Sequence, residues 1–280
     1  MRIEPLCSAL GAEVSDIDLS QPLDRETSDA LRAAYLEHHL LCFRSDPVTP
    51  AEFVRVARIF GEPQRQLIRD EWVDGVEEVS MLNSTYERPE DKPEDMSLVR
   101  LTGWHTDDSY FPVPAHSTLL QSIQIPESGD QTSFANTRKA REDMAEDRKA
   151  VFDGLMAVHD YDTIRAPGRP TKLTATEDSE TAEVIHPLIR THEDTGAKAI
   201  YYNANRTDRV TDMEREESDA LLDEIAEQHT RPQYVYRHEW RVGDLLVWDN
   251  RCLVHSVNMD FPVQQSRLHQ RMLLKGTVPV

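Results

Sequence analysis

The sequence predicts a mainly β fold with helices added near the start and in the middle of the chain (α+β). Residues 231–280 contain several apolar or alternating segments of the kind that form strands. Two segments near the N-terminus instead have the 3.6-residue periodicity of amphipathic helices. Many strands with inserted helices are typical of a β-barrel or β-sandwich decorated by helices.

The N-terminal helices are predicted from their caps and spacing. Asp24 precedes a segment in which Leu31 begins an i, i+3, i+4, i+7 series on one side. Thr49 is a suitable N-cap and Pro50 a suitable first helical residue for a second helix. Between the two helices, the apolar residues 40–43 predict a short buried strand.

Further elements are predicted along the rest of the chain, which we treat as a single domain (1–280). In order, they are a strand at 117–125, a helix at 138–157, strands near 184–190 and 199–203, a helix that starts with the capping-box pattern of 211–214, and strands at 233–240, 245–248 and 267–274. Residues 84–103 are polar, charged and proline-bearing, which predicts a long mobile loop. Because it runs directly into Trp104-His105, we expect it to be an active-site lid.

Composition excludes several classes of protein. The 280 residues include 31 Lys and Arg against 51 Asp and Glu, a net charge of −20, which argues against nucleic acid as the partner. No apolar stretch reaches the roughly 18–20 residues of a membrane span. The N-terminus lacks the pattern of a secretory signal, so the cytoplasm is the expected location. Three cysteines without paired spacing suggest neither a disulfide framework nor a cysteine-based zinc site.

The triplet His105-Thr106-Asp107 is the sharpest local feature. In an extended segment, residues i and i+2 point to the same side, so the imidazole and the carboxylate would converge. A second histidine from elsewhere would complete a set of two histidines and one carboxylate, which suits non-haem iron(II) and leaves coordination positions open. His255, which follows an apolar strand and a polar turn, is the candidate.

Arg267, His269 and Arg271 share one side of a predicted strand. If that side faces a polar barrel interior, two guanidinium groups project into it, and arginine is well suited to hold a carboxylate. The alternative is that this side faces outward and the arginines are solvated.

Over essentially its whole length the chain resembles the TauD/TfdA family, the taurine and dichlorophenoxyacetate dioxygenases. The resemblance lies in five motifs in order: Ala9–Val14 with Asp18–Ser20, Trp104–Asp107, Gly129–Ala135, His186–His192, and Trp248–Arg251 with His255. Five motifs in the right order are far more specific than any one of them.

This resemblance implies a double-stranded β-helix (jelly-roll) core and a mechanism that uses Fe(II), 2-oxoglutarate and O2. By position, His105, Asp107 and His255 would be the iron ligands. Arg267 would hold the distal carboxylate of 2-oxoglutarate with help from Thr132, and Arg271 would contact the co-substrate or an anionic substrate. Hydroxylation of a substrate C–H bond, with release of succinate and CO2, is the expected outcome. Family members often form dimers or tetramers, so a homo-oligomer is possible.

The substrate is predicted only as a class of small molecule. Arg206 and Arg271 would grip a carboxylate, sulfonate or sulfate, and taurine itself is disfavoured. Further expected substrate contacts are Leu101, Trp104, Tyr110 and Asn203, although aromatic residues of this kind also serve as core packing.

Three alternatives stay open from the sequence. The first uses the same cofactors for desaturation or another oxidative tailoring of a biosynthetic intermediate. The second is a zinc hydrolase, and the third is a barrel that binds a small molecule without catalysis. Metal-dependent turnover of 2-oxoglutarate would separate the first from the other two.

Overall fold

The computed structural model describes residues 1–92, 94, 103–166 and 173–280 of the chain. Strands outnumber helices among these residues, which confirms the predicted mainly β fold with helices. No described helix has both the length and the apolar composition needed to cross a membrane. The expected lid (84–103) includes a 3₁₀ turn at Pro89–Asp91, but residues 93 and 95–102, with Leu101 among them, lie outside the described residues.

The elements are numbered here in chain order. The strands in the described part are β1 Arg2–Pro5, β2 Ala12–Ser15, β3 Leu40–Phe43, β4 Pro63–Gln64, β5 Trp72–Val73, β6 Val76–Asn83, β7 Ser117–Gln124, β8 Thr132–Asn136, β9 Met156–His159, β10 Val184–Pro187, β11 Ile189–Thr191, β12 Lys198–Ile200, β13 Thr207–Val210, β14 Val235–His238, β15 Leu245–Asp249, β16 Leu253–Val257 and β17 Leu268–Leu274. The α-helices there are α1 Arg25–His38, α2 Pro50–Ala57, α3 Thr137–Glu142, α4 Glu146–Phe152, α5 Ala175–Asp178 and α6 Arg215–His229.

Two sheets matter most for the site. The larger has the order β1-β2-β3-β15-β7-β17-β6-β5, with β4 paired to β17, and the second has the order β14-β8-β16. Apart from the parallel pair β2 and β3, the neighbouring strands of both sheets are antiparallel. Two small sheets, β10-β9-β13 and β11-β12, complete the pairing.

The N-terminal helices have the caps that the sequence predicts. The Asp24 carboxylate accepts a hydrogen bond from the backbone N–H of Thr27 at 2.7 Å, which starts α1. Thr49 and Glu52 form a capping box at the start of α2, with Pro50 at its first position. α1 ends where His39 adopts a φ of 63° and its N–H donates to the Tyr35 carbonyl.

The larger sheet separates two hydrophobic cores. Alternate residues of a strand face opposite sides of its sheet, and β15 shows this directly. Leu245 and Val247 pack in the core that α1 and α2 cover, whereas Leu246 and Trp248 pack in the core shared with Phe134 of the second sheet. The helices therefore cover one face of the larger sheet, and the second sheet lies against the other.

The predicted helix at 138–157 is wrong in its extent. It is two short helices, α3 and α4, followed by β9. α4 ends at Phe152 because Asp153 is extended and Gly154 has a φ of 90°, a conformation that favours glycine. Met156 then pairs with Pro187 in β10. Apolar spacing did not reveal this break.

The start of α6 also differs from its prediction. The capping-box pattern lies at 211–214, but the helix starts at Arg215, and Glu214 occupies the N-cap position without a side-chain cap. The backbone N–H of Thr211 donates instead to the carbonyl of Met156, and Asp212 has a φ of 56°. Thr211 therefore bonds to the backbone of β9 and does not cap α6.

Candidate active site

His105 and His255 are held side by side by backbone hydrogen bonds. The N–H of each residue donates to the carbonyl of the other, at N···O distances of 2.9 and 2.7 Å. Their ring centroids are 4.0 Å apart. Since His255 lies in the middle of β16, the second sheet fixes the position of the first imidazole through this bridge.

Asp107 completes the cluster that the sequence predicts. Potential ligand atoms of His105, Asp107 and His255 all lie within 4.8 Å of one another. Thr118, on the larger sheet, donates from Oγ1 to Asp107 Oδ2 at 2.5 Å. The three side chains thus meet between the two sheets. The second sheet positions His105 through the backbone bridge, and the larger sheet positions Asp107 through Thr118.

Burial keeps both imidazoles neutral. It lowers the pKa of His105 and lowers that of His255 to about 3, helped in the second case by the neighbouring His105. Burial alone would raise the pKa of Asp107, but the nearby Arg271 cation and the hydrogen bond from the Thr118 hydroxyl favour the carboxylate and hold that pKa below its usual value. The cluster therefore offers two neutral nitrogen donors and one carboxylate.

The surroundings of His105 define which of its two ring nitrogens carries the proton. His105 Nδ1 lies 2.7 Å from the Gly103 carbonyl, to which it can only donate, so the lone pair is on Nε2. His255 Nδ1 is buried and has no partner among the described residues. An imidazole fixed by a carbonyl through one nitrogen is the usual arrangement of a metal-binding histidine.

Two other groups of potential ligand side chains occur in the described part of the chain, around Asp249 and Asp244. Both carboxylates are already neutralised, because Arg251 donates to Asp249 and Arg44 donates to Asp244. Asp107 has no arginine within ion-pair distance among the described residues. Of the three groups, the one at Asp107 is therefore the best suited to a cation.

The triad opens onto a cavity of about 510 Å³. Its wall includes six further residues that the sequence predicts for the site: Thr132, Arg267, Arg271, Tyr110, Asn203 and Arg206. Ile68, Leu82, Leu120 and Val257 supply apolar surface to the same wall. The triad, Arg271 of β17 and Arg267 just before that strand thus line the same cavity. The cavity is partly apolar, and its volume is sufficient for two small molecules.

Arg267 and Thr132 lie deep in this cavity, 3% and 1% exposed. Arg267 donates from Nε to Asp130 in a buried ion pair and from Nη1 to Ser84 Oγ at 3.3 Å. The Thr132 hydroxyl accepts a hydrogen bond from the indole N–H of Trp240 at 3.0 Å. The predicted alternative, a solvated Arg267, is therefore wrong.

Arg271 is held by Gln66. Its Nε donates to Gln66 Oε1, and Gln66 Nε2 donates back to the Arg271 carbonyl at 3.2 Å. Glu71, also on the cavity wall, lies 3.9 Å from Nη2 of Arg271. Arg271 therefore faces the cavity with its orientation set mainly by a neutral side chain.

Arg206 lies against two tyrosine rings. Its guanidinium carbon is 4.2 Å from the ring centroid of Tyr161 and 5.0 Å from that of Tyr110. Nη1 donates to the Tyr161 carbonyl. No described carboxylate forms an ion pair with Arg206, so its charge is not neutralised by a neighbouring acid.

The remaining predicted contacts fare differently. The side-chain N–H groups of Asn203 donate to the Thr106 carbonyl at 2.7 Å and to Ser109 Oγ at 2.9 Å, and its Oδ1 accepts from the Asn205 N–H. Asn203 thus lies on the cavity wall but is occupied in holding the 103–109 segment. Trp104 is not among the described cavity-lining residues; its carbonyl accepts from the Ala204 N–H.

Sequence reasoning missed several wall residues. Asp108 faces the cavity beside Asp107, although strand alternation would direct it to the opposite side. Its φ of 58° produces this reversal, and no pattern in the sequence indicates a left-handed residue there. Asp130 is not among the described residues of the wall, but it pairs with Arg267 behind it and was also missed. It lies within Gly129–Ala135, one of the five motifs, so the sequence offered a signal for it.

The chain matches known proteins over almost its whole length. The profile described as "Taurine catabolism dioxygenase TauD, TfdA family" matches residues 2–273. The chain belongs to the TauD/TfdA family. This TauD/TfdA-family protein is a non-haem iron dioxygenase that depends on 2-oxoglutarate and O2, which decides against the zinc-hydrolase and non-catalytic alternatives.

Relatives and solved structures cover the TauD/TfdA-family chain almost completely. An "Alkylsulfatase" of Acinetobacter baylyi is 30% identical over 99% of this chain and 86% of its own length. An "(S)-phenoxypropionate/alpha-ketoglutarate-dioxygenase" of Sphingobium herbicidovorans is 30% identical over 96% of this chain and 94% of its own. The crystal structure of a taurine dioxygenase from Burkholderia xenovorans superposes with a TM-score of 0.84 at 30% identity, covering 100% of this chain and 90% of that one.

Proposed function

We propose that His105, Asp107 and His255 hold the Fe(II) on which this dioxygenase depends. The observation that carries this proposal is the meeting of two neutral imidazoles and one carboxylate on a single cavity. Among the described residues, no arginine forms an ion pair with that carboxylate. Two histidines and one carboxylate are the donor set of non-haem iron oxygenases. When bound there, Fe(II) supplies the electrons that activate dioxygen, while 2-oxoglutarate is split into succinate and CO2.

Arg267 and Thr132 would bind the distal carboxylate of 2-oxoglutarate in this proposal. Both line the cavity that contains the triad, and both are buried, so a carboxylate there would exchange water for a guanidinium and a hydroxyl. Asp130 already neutralises part of the Arg267 charge and fixes its Nε. The arginine can therefore remain buried before the co-substrate arrives.

The substrate is proposed to be a small organic anion that undergoes hydroxylation of a C–H bond. Arg206 supports this, because it is a cavity-wall cation without a carboxylate partner among the described residues. Arg271 lies on the same wall, and the apolar side chains would contact the uncharged part of the molecule. Relatives named for sulfate esters and phenoxypropionate are consistent with a carboxylate, sulfonate or sulfate. Tyr110 would shape the wall beside the anion, whereas neither Leu101 nor Trp104 gains support as a substrate contact.

The finer features of the fold belong to the same proposal. The face-to-face arrangement of the larger sheet and the β14-β8-β16 sheet supports a double-stranded β-helix core. We treat residues 1–280 as one oxygenase domain with 84–103 as its lid, and a dimer or tetramer as its assembly. Light scattering of the purified chain measures the last of these directly.

Succinate formation tests the proposed function. Anaerobically iron-loaded protein receives 2-oxoglutarate, oxygen and a panel of small carboxylates, sulfonates and sulfates, beside a His255→Ala variant. We expect succinate to rise with at least one compound and to vanish in the variant. Equal succinate from both proteins would remove His255 from the metal site. If succinate stays at the level of the variant throughout, the panel is extended only after 2-oxoglutarate binding to the iron-loaded protein has been shown by absorbance.

A further inference from the structure

The hydroxyl of Thr132 has a defined direction because of Trp240. The indole nitrogen of Trp240 lies 3.0 Å from Thr132 Oγ1, and both side chains are buried. An indole N–H can only donate, so the threonine oxygen must accept this bond. The hydroxyl proton is then left to donate elsewhere, and no described residue accepts it. Since Thr132 lines the cavity, an anion there is the available acceptor.

The indole itself is held firmly. Its ring packs edge-to-face against His238 at a centroid distance of 4.7 Å and against His269 at 4.8 Å. His238 is anchored in turn, since its Nε2 lies 3.1 Å from Asp244 Oδ2. In the second sheet, His238 pairs directly with Thr132, so strand register places Trp240 just beyond the threonine. The N–H therefore reaches Thr132 from a fixed position outside the cavity wall.

Arg267 presents its free donors to the same region. Asp130 and Ser84 engage Nε and Nη1, and no hydrogen bond to another described residue involves Nη2. The N–H groups of Nη2, the second N–H of Nη1 and the Thr132 hydroxyl proton are then left to donate to a carboxylate. We propose that Trp240, which does not contact the reacting groups, is a positioning residue. It orients the Thr132 hydroxyl toward the distal carboxylate of 2-oxoglutarate.

This inference rests on the proposed binding of that carboxylate by Thr132 and Arg267. It has a consequence specific to one end of the co-substrate. Loss of the Trp240 N–H lets the hydroxyl rotate and donate in other directions, which weakens the hydrogen bond to a distal carboxylate. A 2-oxo acid that lacks the distal carboxylate, such as 2-oxopentanoate, does not form this hydrogen bond, so its affinity should not change.

A double-mutant cycle on ligand binding tests the inference. Wild type, Trp240→Phe, Thr132→Val and the double variant are loaded with Fe(II) under anaerobic conditions. Each is titrated with 2-oxoglutarate and, separately, with 2-oxopentanoate, and the dissociation constants come from the visible absorbance of the iron–2-oxo acid complex. Phenylalanine keeps an aromatic ring between His238 and His269. Tyr236→Phe is the matched control, because it removes a hydroxyl that bonds His238 Nδ1 on the same strand and leaves the Trp240 N–H in place.

We expect Trp240→Phe to raise the dissociation constant of 2-oxoglutarate roughly 3- to 10-fold and that of 2-oxopentanoate by less than about 2-fold. In the Thr132→Val background the same change should have almost no effect, and Tyr236→Phe should bind both ligands as wild type does. Equal weakening of both ligands, or full additivity in the double variant, would make Trp240 a packing residue and overturn the inference. If Thr132→Val itself binds 2-oxoglutarate normally, the proposed co-substrate site is what fails. If only Trp240→Phe is silent, the inference fails and that site stands.

Discussion

Thr118 supports the proposed iron ligand Asp107, and its removal makes a specific prediction. Thr118 is fully buried on β7, donates to Asp107 Oδ2 at 2.5 Å and accepts from Asn250 Nδ2 at 2.9 Å. Thr118→Val keeps the shape of the side chain and removes both bonds. Asp107 then loses the group that orients it, and partners of metal ligands typically contribute about 10- to 100-fold to metal affinity. We expect Fe(II) affinity to fall by that factor, equivalent to about 1.4–2.7 kcal/mol.

The same change also costs stability, which the assay must separate from metal binding. Asn250 is left with a buried donor that lacks its acceptor, a loss of about 1–3 kcal/mol. Thr137→Val is a matched control, since the equally buried Thr137 hydroxyl donates to the Cys252 carbonyl rather than to Asp107. Fe(II) affinity is measured by anaerobic competition with a chelator, and stability by urea unfolding without metal. Wild-type Fe(II) affinity in Thr118→Val, or an equal loss in Thr137→Val, would refute the reasoning.

Three further predictions concern other parts of the molecule. Arg206→Gln should weaken binding of the anionic substrate about 10- to 100-fold while 2-oxoglutarate binds as before, because it removes a cation that has no acidic partner among the described residues. Unchanged affinity for a substrate identified by succinate formation would contradict this prediction. Burial lowers the pKa of His229 to about 4, so the folded state resists the protonation that the unfolded state accepts below about 6.5. Its contribution is present above pH 6.5 and is lost as the pH falls toward 4. Between pH 7.5 and 5.5, the unfolding free energy of wild type should therefore fall by roughly 1 kcal/mol more than that of His229→Gln. Parallel pH profiles in urea unfolding would contradict this. Gly129→Ala should destabilise the folded protein by several kcal/mol, because the φ of Gly129 is 80° and the added carbon would lie 2.9 Å from the backbone nitrogen of Phe261. The control Gly75→Ala has a φ of 77° and no atom within 4 Å of the added carbon, so it should reduce the unfolding free energy by only about 1 kcal/mol. Equal losses in thermal unfolding would show that backbone strain alone matters.

Local signals in the sequence predicted much of the fold. Asp24 and the Thr49–Glu52 capping box start their helices where expected, since these caps involve only neighbouring residues. The strands predicted at 40–43 and 245–248 from their apolar composition are present, the second one residue longer than predicted. The breaks around Gly154 and Thr211 were not predicted, because they depend on the pairing of β9 with β10 and β13, two strands that lie far from β9 in sequence.

The candidate site divides in the same way. The i, i+2 spacing of His105 and Asp107 predicts their convergence, and the resemblance in motifs brings His255 and Arg267 to the same place. Spacing says nothing of which hydrogen-bonding groups are already occupied. That is why Asn203 was expected to contact substrate, although its amide holds the loop at Thr106. The reversal at Asp108 depends on one left-handed residue, which composition does not reveal.

Isotopic labelling of succinate tests the central claim most directly. Iron-loaded wild type and His255→Ala are supplied with 2-oxoglutarate, the substrate found in the panel and dioxygen labelled in both atoms. Oxidative decarboxylation places one atom of dioxygen in succinate and leaves the other for the hydroxylated product. We expect singly labelled succinate from wild type and none from His255→Ala. Unlabelled succinate, or the same labelled yield from both proteins, would contradict an oxygenase reaction at the triad of His105, Asp107 and His255.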